Sequence, residues 1–342
     1  MNLQLFSDLP LADLPDAVAG GADRVLGGAR LGQASPGLAP GWPVQAIAAP
    51  LLGKPDDSLQ EIWRCDAACA AGESEGIRWR RAGNLLYGVI ELAEADFSPT
   101  PAVSALQAAS AEAYRRIFRL LDAQRLPNLW RVWNYLAGIN QEVDGLERYR
   151  QFNIGRQDAF LEFRRGATGN VPAACALGVA EGPLSIAFMA GDTPAVPVEN
   201  PRQVSAYNYP AEYGPRSPTF SRAALVYLPG QEILFISGTA SIVGHRTVHP
   251  DDVVGQCRES LANVAAVVAE ANRLARTTAY GLDELSYRVY VRQAEDFPLV
   301  RETLAGLIGD TVEIVYVQAD ICRHDLLLEI EAMASHTLET CA

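Results

Sequence analysis

Hydrophobic positions in the second half of the chain switch between the period of a helix and the period of a strand. Within residues 250–275, Val253, Cys257 and Leu261 recur at helical spacing. Asp252 suits the start of this helix, because acidic side chains favour the N-terminal end of the helix dipole. Short runs of β-branched and aromatic residues on either side predict strands. The predicted order is strands 222–228 and 232–237, helix 250–275, strand 285–292, helix 296–309, and strands 312–319 and 325–334.

The first half of the chain repeats this order, and its last strand aligns with the last strand of the second half as LSIAFMA against LEIEAMA. We therefore predict an α/β fold made of two duplicated α+β units, each a mixed sheet packed against helices. The predicted domains are 1–190, which has extra strands at its N-terminus, and 191–342, with a boundary in the proline-rich and turn-rich segment 191–201. The first-half elements are strand 85–92, helix 101–125, strand 129–136, helix 145–163, and strands 173–180 and 184–191.

The alignment of these two closing strands isolates a pair of acidic residues. Glu329 and Glu331 are two positions apart, so both side chains are expected on the same face of the strand. The first half has Ser185 and Ala187 at the matching positions, which means that the strand does not need acids for its fold. From the pattern alone, the two acids fit either a functional site or a solvated strand face.

Charge and composition exclude several classes of protein. A net charge of −13 argues against binding to nucleic acid, which requires a basic surface. The same field repels an anionic ligand, so such a ligand needs a local arginine cluster. The longest apolar stretches are too short to span a membrane, and the N-terminus, MNLQLFSDLPLADLPDA, is acidic where a signal peptide is basic. We expect a soluble, cytoplasmic protein that binds neither nucleic acid nor a membrane.

The motifs of the common cofactors and metal sites are missing from the sequence. No G-x-G-x-x-G follows a predicted strand, and no Walker lysine loop or G-x-S-x-G motif occurs. The six cysteines have no spacing typical of a disulfide framework, and Cys65 and Cys69 lack a second pair of zinc ligands nearby. His245 and His249 flank a glycine-rich turn and are expected in a loop. We therefore expect neither a cofactor nor a metal.

Three stretches of the second half, VGQCRESLANVAAVVAEA, YRVYVRQAEDFPLVRETLAG and LLLEIEAMA, resemble the RidA/YjgF family of imine-deaminating trimers. The resemblance implies RidA/YjgF-like (chorismate-mutase-like) units and places Glu329 at the ligand site. That family holds a substrate carboxylate with an arginine, and this chain has Ile314 at the corresponding position. This difference argues against plain imine deamination.

A second resemblance extends over the whole chain. It is carried by RVWNYLAGIN (131–140), YRQFNIGRQDAF (149–160), PRQVSAYNYPAEYGPRSPTFSRA (201–223), LFISGTASIVGH (234–245) and DICRHDLLLEIEA (320–332). These stretches are similar to the chorismatases, which have a RidA-like C-terminal domain. The resemblance implies cleavage of chorismate to pyruvate and either a dihydroxycyclohexadiene carboxylate or a hydroxybenzoate. The most similar type is bifunctional and supplies 3- and 4-hydroxybenzoate for pigment and quinone synthesis.

Cleavage of chorismate needs an acid, because pyruvate release requires protonation of the enol-ether methylene. Glu329 fits, since a carboxyl on an apolar strand beside a second acid is expected to have a raised pKa. The resemblance assigns the same position the role of the acid. It also implies that Cys322 steers the intermediate towards 3-hydroxybenzoate, and that Ala240 occupies a small-residue position that sets the room for water or substrate. Glu331 is left with three interpretations: it orients Glu329, shares its proton, or is exposed.

The two carboxylates of chorismate require at least two arginines. Each candidate arginine has a surface salt bridge as its alternative role, and tyrosines of the 207–213 loop are expected to hydrogen-bond ring oxygens. The candidate substrate-binding residues are Arg156, Arg216, Arg222, Arg292, Tyr207 and Tyr213.

Chorismate is thus the expected small-molecule partner, and a monomer is the expected assembly, because a duplicated chain buries internally the surfaces that single-unit relatives bury by trimerising. The alternative functions are a hydrolytic chorismatase, a RidA-type imine deaminase and a non-enzymatic metabolite-binding protein.

Overall fold

The structure is a computed structural model that describes residues 2–10, 13, 18, 21–32, 40–54, 58–166 and 168–338. Cys341 and most of residues 11–17, on which the interpretation of the N-terminus drew, lie outside the described residues. The longer helices are α1 (Ala105–Gln124), α2 (Arg148–Glu162), α3 (Val253–Asn272) and α4 (Phe297–Ile308).

The strands are numbered in chain order. Those of the first half are β1 (Leu3–Pro10), β2 (Val25–Gly32), β3 (Val44–Ala48), β4 (Ser58–Cys65), β5 (Ala70–Ser74), β6 (Ile77–Ala82), β7 (Leu85–Leu92), β8 (Asn128–Ala137), β9 (Glu142–Val143), β10 (Leu146–Glu147), β11 (Ala173–Val179) and β12 (Leu184–Gly191). Those of the second half are β13 (Val196–Val198), β14 (Ala223–Leu228), β15 (Gln231–Thr239), β16 (Ile242–Val243), β17 (Arg246–Thr247), β18 (Ser286–Val291), β19 (Ile314–Gln318) and β20 (Leu328–Thr337).

Two six-stranded mixed sheets have the same topology. The first has the order β11-β8-β12-β7-β6-β5, and the second has the order β19-β18-β20-β15-β14-β13. In each sheet one pair is parallel, β8 with β11 and β18 with β19, and a helix connects the two strands of that pair. The predicted fold of two repeated α+β units is therefore confirmed. The domain boundary at 190/191 stays a prediction.

The helices cover the outer faces of the two sheets. Helices α1 and α2 pack on the first sheet, and α3 and α4 pack on the second, each pair over its own apolar core. The inner faces share a third core with the four-stranded N-terminal sheet, which has the order β1-β4-β2-β3. The aromatic segment of β8 lies in this interior, with Trp130, Trp133 and Tyr135 all buried.

Equivalent positions of the two units meet at the centre of the shared core. Ser185 pairs with Tyr135 in the first sheet, and Glu329 pairs with Tyr290 in the second sheet. The hydroxyl groups of Tyr135 and Tyr290 lie 2.6 Å apart and are hydrogen-bonded. The strands that pair with the two aligned strands, β8 and β18, therefore bring the two units into contact through these tyrosines.

The element boundaries differ from the predicted ones by a few residues. The largest difference that bears on the site is at β20, which was predicted to begin at residue 325 and begins at Leu328. Residues 322–325 form a bend and a turn instead, so Cys322 sits on a loop beside the strand. Helix α3 begins after Asp252, whose carboxylate accepts a hydrogen bond from the Gly255 N–H at 2.9 Å. Within the described ranges no helix is both long enough and apolar enough to cross a membrane.

Candidate active site

A cavity of about 500 Å³ lies where the two units meet. Its lining comes from the first unit in segments 147–156 and 174–176, and from the second unit in segments 209–222, 238–247 and 322–329. We refer to this space as the central cavity. Its volume is within the range of small-molecule sites in proteins, and both units are needed to enclose it.

The central cavity is richer in cations than the rest of this acidic protein. Five arginines line it, against four acidic side chains. Among the described residues, Arg156, Arg222 and Arg323 have no carboxylate partner, and each has a buried guanidinium nitrogen without a hydrogen bond. Unpaired buried guanidinium groups favour an anionic ligand. The other cavity arginines are Arg150 and Arg246, and the acids are Glu147, Glu212, Asp325 and Glu329.

Glu329 extends from β20 into the central cavity, and its side chain is buried. Burial and, to a smaller extent, the nearby Glu331 raise the pKa of its carboxyl, Arg131 and Arg222 act in the opposite direction, and the net result is a pKa of about 8. Glu329 is therefore mostly protonated at neutral pH. A buried carboxylic acid beside a cationic cavity can donate a proton to a bound anion.

The backbone of β15 leaves space for this carboxyl. The register between β15 and β20 shifts between Ile236 and Thr239, where β15 carries a bulge. Gly238 lies in the bulge, and a methyl group on its Cα would overlap the Oε1 atom of Glu329. Gly238 has an ordinary backbone conformation, so glycine is required here because of the close approach of Glu329 rather than because of strain.

Cys322 is the nearest thiol to the acid. Its Sγ atom lies 4.0 Å from Oε2 of Glu329. Burial raises the pKa of this thiol to about 12, and the charge of Glu329 adds to the effect. Cys322 is therefore a neutral S–H group that can donate a hydrogen bond or relay a proton, and it is not an activated thiolate nucleophile.

Glu331 is buried, which excludes the interpretation that it is an exposed strand residue. Its carboxylate forms ion pairs with Arg131 of β8 and, at 3.1 Å, with Arg288 of β18. The hydroxyl of Tyr290 donates a third contact at 3.0 Å. Arg288 also pairs with Glu61 of β4, so the four charged residues connect all three large sheets. We call Glu61, Arg131, Arg288 and Glu331 the buried ion network.

Six of the nine residues predicted for the site line the central cavity, and three do not. Arg216 is half exposed and pairs with Asp158 at 3.3 Å. Tyr207 lies beside Glu199, outside the lining. The lining residues are Glu329, Cys322, Arg156, Tyr213, Arg222 and Ala240.

Arg292 is the third residue outside the lining, and it supports the loop that carries Cys322. Its Nη1 donates to Asp320 at 2.6 Å and to Asn140 at 3.0 Å. Its other guanidinium nitrogens donate to the carbonyl groups of Ile321, Arg323 and Leu326. With every nitrogen used in this way, Arg292 shapes the 320–326 turn and has no free donor for a ligand.

The sequence reasoning missed Arg323 and Tyr209. The guanidinium of Arg323 lies over the rings of Tyr213, at 4.1 Å, and Tyr209, at 5.1 Å. The hydroxyl of Tyr209 accepts a hydrogen bond from Arg222 at 2.8 Å. The sequence offered a signal for Arg323, because this residue follows Cys322 directly. It offered none for choosing among the tyrosines of the 207–213 loop, since short 3₁₀ turns at 206–208 and 211–213 set which rings face the cavity.

The donor atoms of the site bear on metal binding as well. Within the described ranges no three side chains of His, Cys, Asp or Glu are grouped so that they could hold a metal ion. The polar groups of the central cavity are arginines, tyrosines, two thiols, His324, Thr247 and separated carboxyls, and the arginines suit an organic anion.

The fold and the site together form a cationic cavity beside a buried carboxylic acid, which suits a small organic anion. Residues 61–190 match the family model described as chorismatase FkbO/Hyg5-like, N-terminal. A chorismatase from Streptomyces rapamycinicus is 37% identical over 315 residues, which cover 90% of each chain. A 3-hydroxybenzoate synthase from Streptomyces hygroscopicus is 36% identical over 288 residues, or 81% of this chain and 82% of that protein.

A solved structure gives the same assignment. The crystal structure of a chorismatase at 1.08 Å resolution has a TM-score of 0.86 and 34% identity, and the match covers 97% of this chain and 98% of that chain. The protein belongs to the chorismatase family, which confirms the resemblance found in the sequence.

The close approach at Gly238 generates a prediction about stability. We expect Gly238→Ala to lower the free energy of unfolding by about 1–3 kcal/mol, because the added methyl displaces the Glu329 carboxyl or the bulge. Gly306→Ala is the matched control, since its site on α4 has open space, and alanine favours a helix by about 0.5–1 kcal/mol. Urea unfolding of the two variants measures both effects. Equal stability of Gly238→Ala and the wild type would contradict the steric argument.

The raised pKa of Glu329 predicts a pH dependence of stability. In the unfolded chain the carboxyl ionises near its ordinary value of 4.5, whereas in the folded protein it ionises near 8. The contribution of Glu329 is fully present below pH 4.5 and is lost as the pH rises to 8. Gln at this position cannot ionise, so Glu329→Gln gains stability relative to the wild type between these values.

The measurement is urea unfolding of Glu329→Gln and wild type at pH 5 and pH 9. We expect the variant to be relatively more stable at pH 9. Glu75→Gln is the control, because Arg119 lowers the pKa of Glu75 and its charge does not oppose folding. A stability difference for Glu329→Gln that is the same at both pH values would show that Glu329 is not buried as an acid.

Proposed function

We propose that this protein cleaves chorismate to pyruvate and a mixture of 3-hydroxybenzoate and 4-hydroxybenzoate. The observation that carries the proposal is the Glu329 carboxyl, protonated at neutral pH and buried against the central cavity. The names of the chorismatase and 3-hydroxybenzoate synthase relatives support the same substrate and one of the two products.

The charges of the central cavity match the charges of chorismate. Chorismate has two carboxylates, and the cavity offers Arg156, Arg222 and Arg323 without competing carboxylate partners among the described residues. The rings of Tyr209 and Tyr213 lie against the Arg323 guanidinium in the cavity lining, and we assign their hydroxyls to the ring oxygens of the substrate. We assign these five residues to substrate binding, together with Ala240, whose small side chain leaves room in the lining.

The first chemical step is a proton transfer. The Glu329 O–H protonates the methylene carbon of the enolpyruvyl group, which becomes the methyl group of an oxocarbenium ion. The bond between the ether oxygen and the ring carbon then breaks with its electron pair on oxygen, and pyruvate leaves. Loss of a proton from the neighbouring ring carbon makes the ring aromatic and yields 4-hydroxybenzoate. This proton returns to the Glu329 carboxylate, so the reaction needs neither water nor an external acid.

The second product follows a different order of bond changes. When the neighbouring ring hydroxyl attacks the carbon that pyruvate is leaving, its oxygen is transferred to that carbon. The hydroxyl proton passes to the Glu329 carboxylate as the three-membered ring forms. That ring opens at the original carbon with the electron pair on oxygen, and transfer of the proton from the attacked carbon to this oxygen makes the ring aromatic and gives 3-hydroxybenzoate. We assign the choice between the two routes to the neutral Cys322 thiol, which lies 4.0 Å from the acid and can move the hydroxyl or ring proton.

The decisive experiment incubates the purified protein with chorismate and separates the products by chromatography while pyruvate is assayed. We expect pyruvate in an amount equal to the sum of 3- and 4-hydroxybenzoate. Glu329→Gln is expected to lower kcat/KM by about 10²–10⁴-fold, since it removes a general acid and keeps the shape of the side chain. Glu75→Gln on the surface is the control and is expected to match the wild type.

Three outcomes contradict this proposal. Unchanged pyruvate release by Glu329→Gln removes the acid role. A non-aromatic diol in place of hydroxybenzoates identifies the hydrolytic reaction instead. Absence of turnover, with thermal stabilisation by chorismate, identifies a binding protein.

The role of Cys322 generates a separate prediction. We expect Cys322→Ala to lower the share of 3-hydroxybenzoate and raise that of 4-hydroxybenzoate, because only the route to 3-hydroxybenzoate needs the thiol to move a proton. Pyruvate release persists, since Glu329 is intact. Cys257→Ala is the matched control, because Cys257 is buried on α3 away from the central cavity. A product ratio that is the same in Cys322→Ala and the wild type removes the steering role from Cys322.

A further inference from the structure

The proposed reaction assigns no role to Glu331, the acidic residue next to Glu329. We infer that Glu331 is a positioning residue, whose carboxylate, held by Arg131 and Arg288, keeps Glu329 protonated for the reaction. This inference rests on the proposed function for its catalytic meaning. Its structural content, that one buried carboxylate controls the ionisation of another, can be tested without any substrate.

The contacts of Glu331 stabilise a negative charge. Its carboxylate is paired with the guanidinium groups of Arg131 and Arg288 and accepts a hydrogen bond from Tyr290. Buried carboxylates remain charged when guanidinium groups and hydroxyl donors compensate them in this way. Glu331 is therefore built into the core as the partner of two cations.

The same contacts engage Arg131, a buried cation that acts on Glu329. Arg131 is engaged by Glu331, and among the described residues it forms no ion pair with Glu329. A guanidinium free of Glu331 would favour the ionised form of Glu329, since opposite charges at short distance lower the pKa of an acid by about 1–3 units. Glu331 thus opposes the ionisation of Glu329 in two ways. Its negative charge repels a second negative charge, and its carboxylate pairs with the Arg131 guanidinium.

The remaining groups around Glu329 do not duplicate this effect. Arg222, which precedes β14, lowers the pKa of Glu329, as Arg131 does. The thiols of Cys175 on β11 and Cys322 on the adjacent loop are neutral, because burial raises both of their pKa values. Tyr149 of α2 is neutral for the same reason. Glu331 is therefore the charged neighbour that opposes ionisation of Glu329.

The buried ion network extends this control to the N-terminal sheet. Arg288 is shared between Glu331 and Glu61, and it also donates to the hydroxyls of Tyr135 and Tyr290 at 2.9 and 3.0 Å. The Glu61 carboxylate partly compensates the positive charge of Arg288 through this ion pair. Two arginines and two carboxylates leave the network neutral as a set, which allows it to be buried.

The test compares the ionisation of Glu329 in wild type, Glu331→Gln, Glu331→Asp and Arg131→Gln. Infrared difference spectra of each protein against the same protein carrying Glu329→Gln isolate the protonated carboxyl band of Glu329, and its loss is followed from pH 5 to pH 10 without ligand. The pH dependence of kcat/KM for chorismate is measured in parallel.

We expect Glu331→Gln to move the midpoint of the Glu329 titration down by about one pH unit or more, because the repelling charge is lost and the cation is released. The basic limb of kcat/KM should move down by the same amount, so that activity falls at pH 8 and persists at pH 5. Glu331→Asp keeps the charge and should restore the wild-type midpoint. Arg131→Gln removes a cation and should move the midpoint up.

An unchanged or higher midpoint in Glu331→Gln overturns the inference. If that variant does not fold, Arg131→Gln decides, and an unchanged or lower midpoint in it overturns the inference. If Glu331→Gln lowers kcat at every pH without moving the midpoint, Glu331 has a merely structural role. That result also overturns the inference. Failure of the proposed function gives a different result: the wild type does not convert chorismate, while the infrared midpoints still shift as expected.

Discussion

A buried carboxylate flanked by two guanidinium groups is the interaction on which the site depends. Glu331 holds Arg131 of the first unit and Arg288 of the second, and Arg288 in turn binds Glu61 of the N-terminal sheet. Separating the members of such a network would leave an uncompensated charge in the core. The three sheets must therefore assemble together for every charge to be paired. The acid of the proposed reaction lies two residues away on the same strand, and assembly of the core therefore also sets the electrostatics of the central cavity.

The duplicated units solve the same packing problem in two ways. In the first sheet the position that matches Glu329 is Ser185, which is buried and accepts a hydrogen bond from Gln45 of β3 at 3.2 Å. The N-terminal sheet thus covers this copy. In the second sheet the glutamate faces an open space of about 500 Å³, because the bulge at Gly238 makes room for its carboxyl. One copy is a filled interface, and the other faces the central cavity.

The predictions from sequence were best where a residue's role depends on its own strand. The period-2 spacing of Glu329 and Glu331 was sufficient to place both on one face, and the alignment with Ser185 and Ala187 showed that the fold did not require them. The arginines were harder to assign. Arg156 and Arg222 line the cavity, whereas Arg216 pairs with Asp158 and Arg292 braces the 320–326 turn. All four lie in similar stretches, and a guanidinium on a long side chain can reach several partners.

The sequence by itself determined the repeated order of strands and helices and the family, and it predicted Glu329 and Cys322 as the acid and the thiol of the site. These features follow from hydrophobic periodicity and from short motifs, which depend on neighbouring residues in the chain. Only the tertiary structure decided that Glu331 is buried between two arginines. It also decided that Arg323 stacks on Tyr209 and Tyr213, and that Gly238 leaves room for the carboxyl of Glu329. The physical reason is that each of these contacts joins segments far apart in the chain, so that their geometry exists only once the sheets have packed.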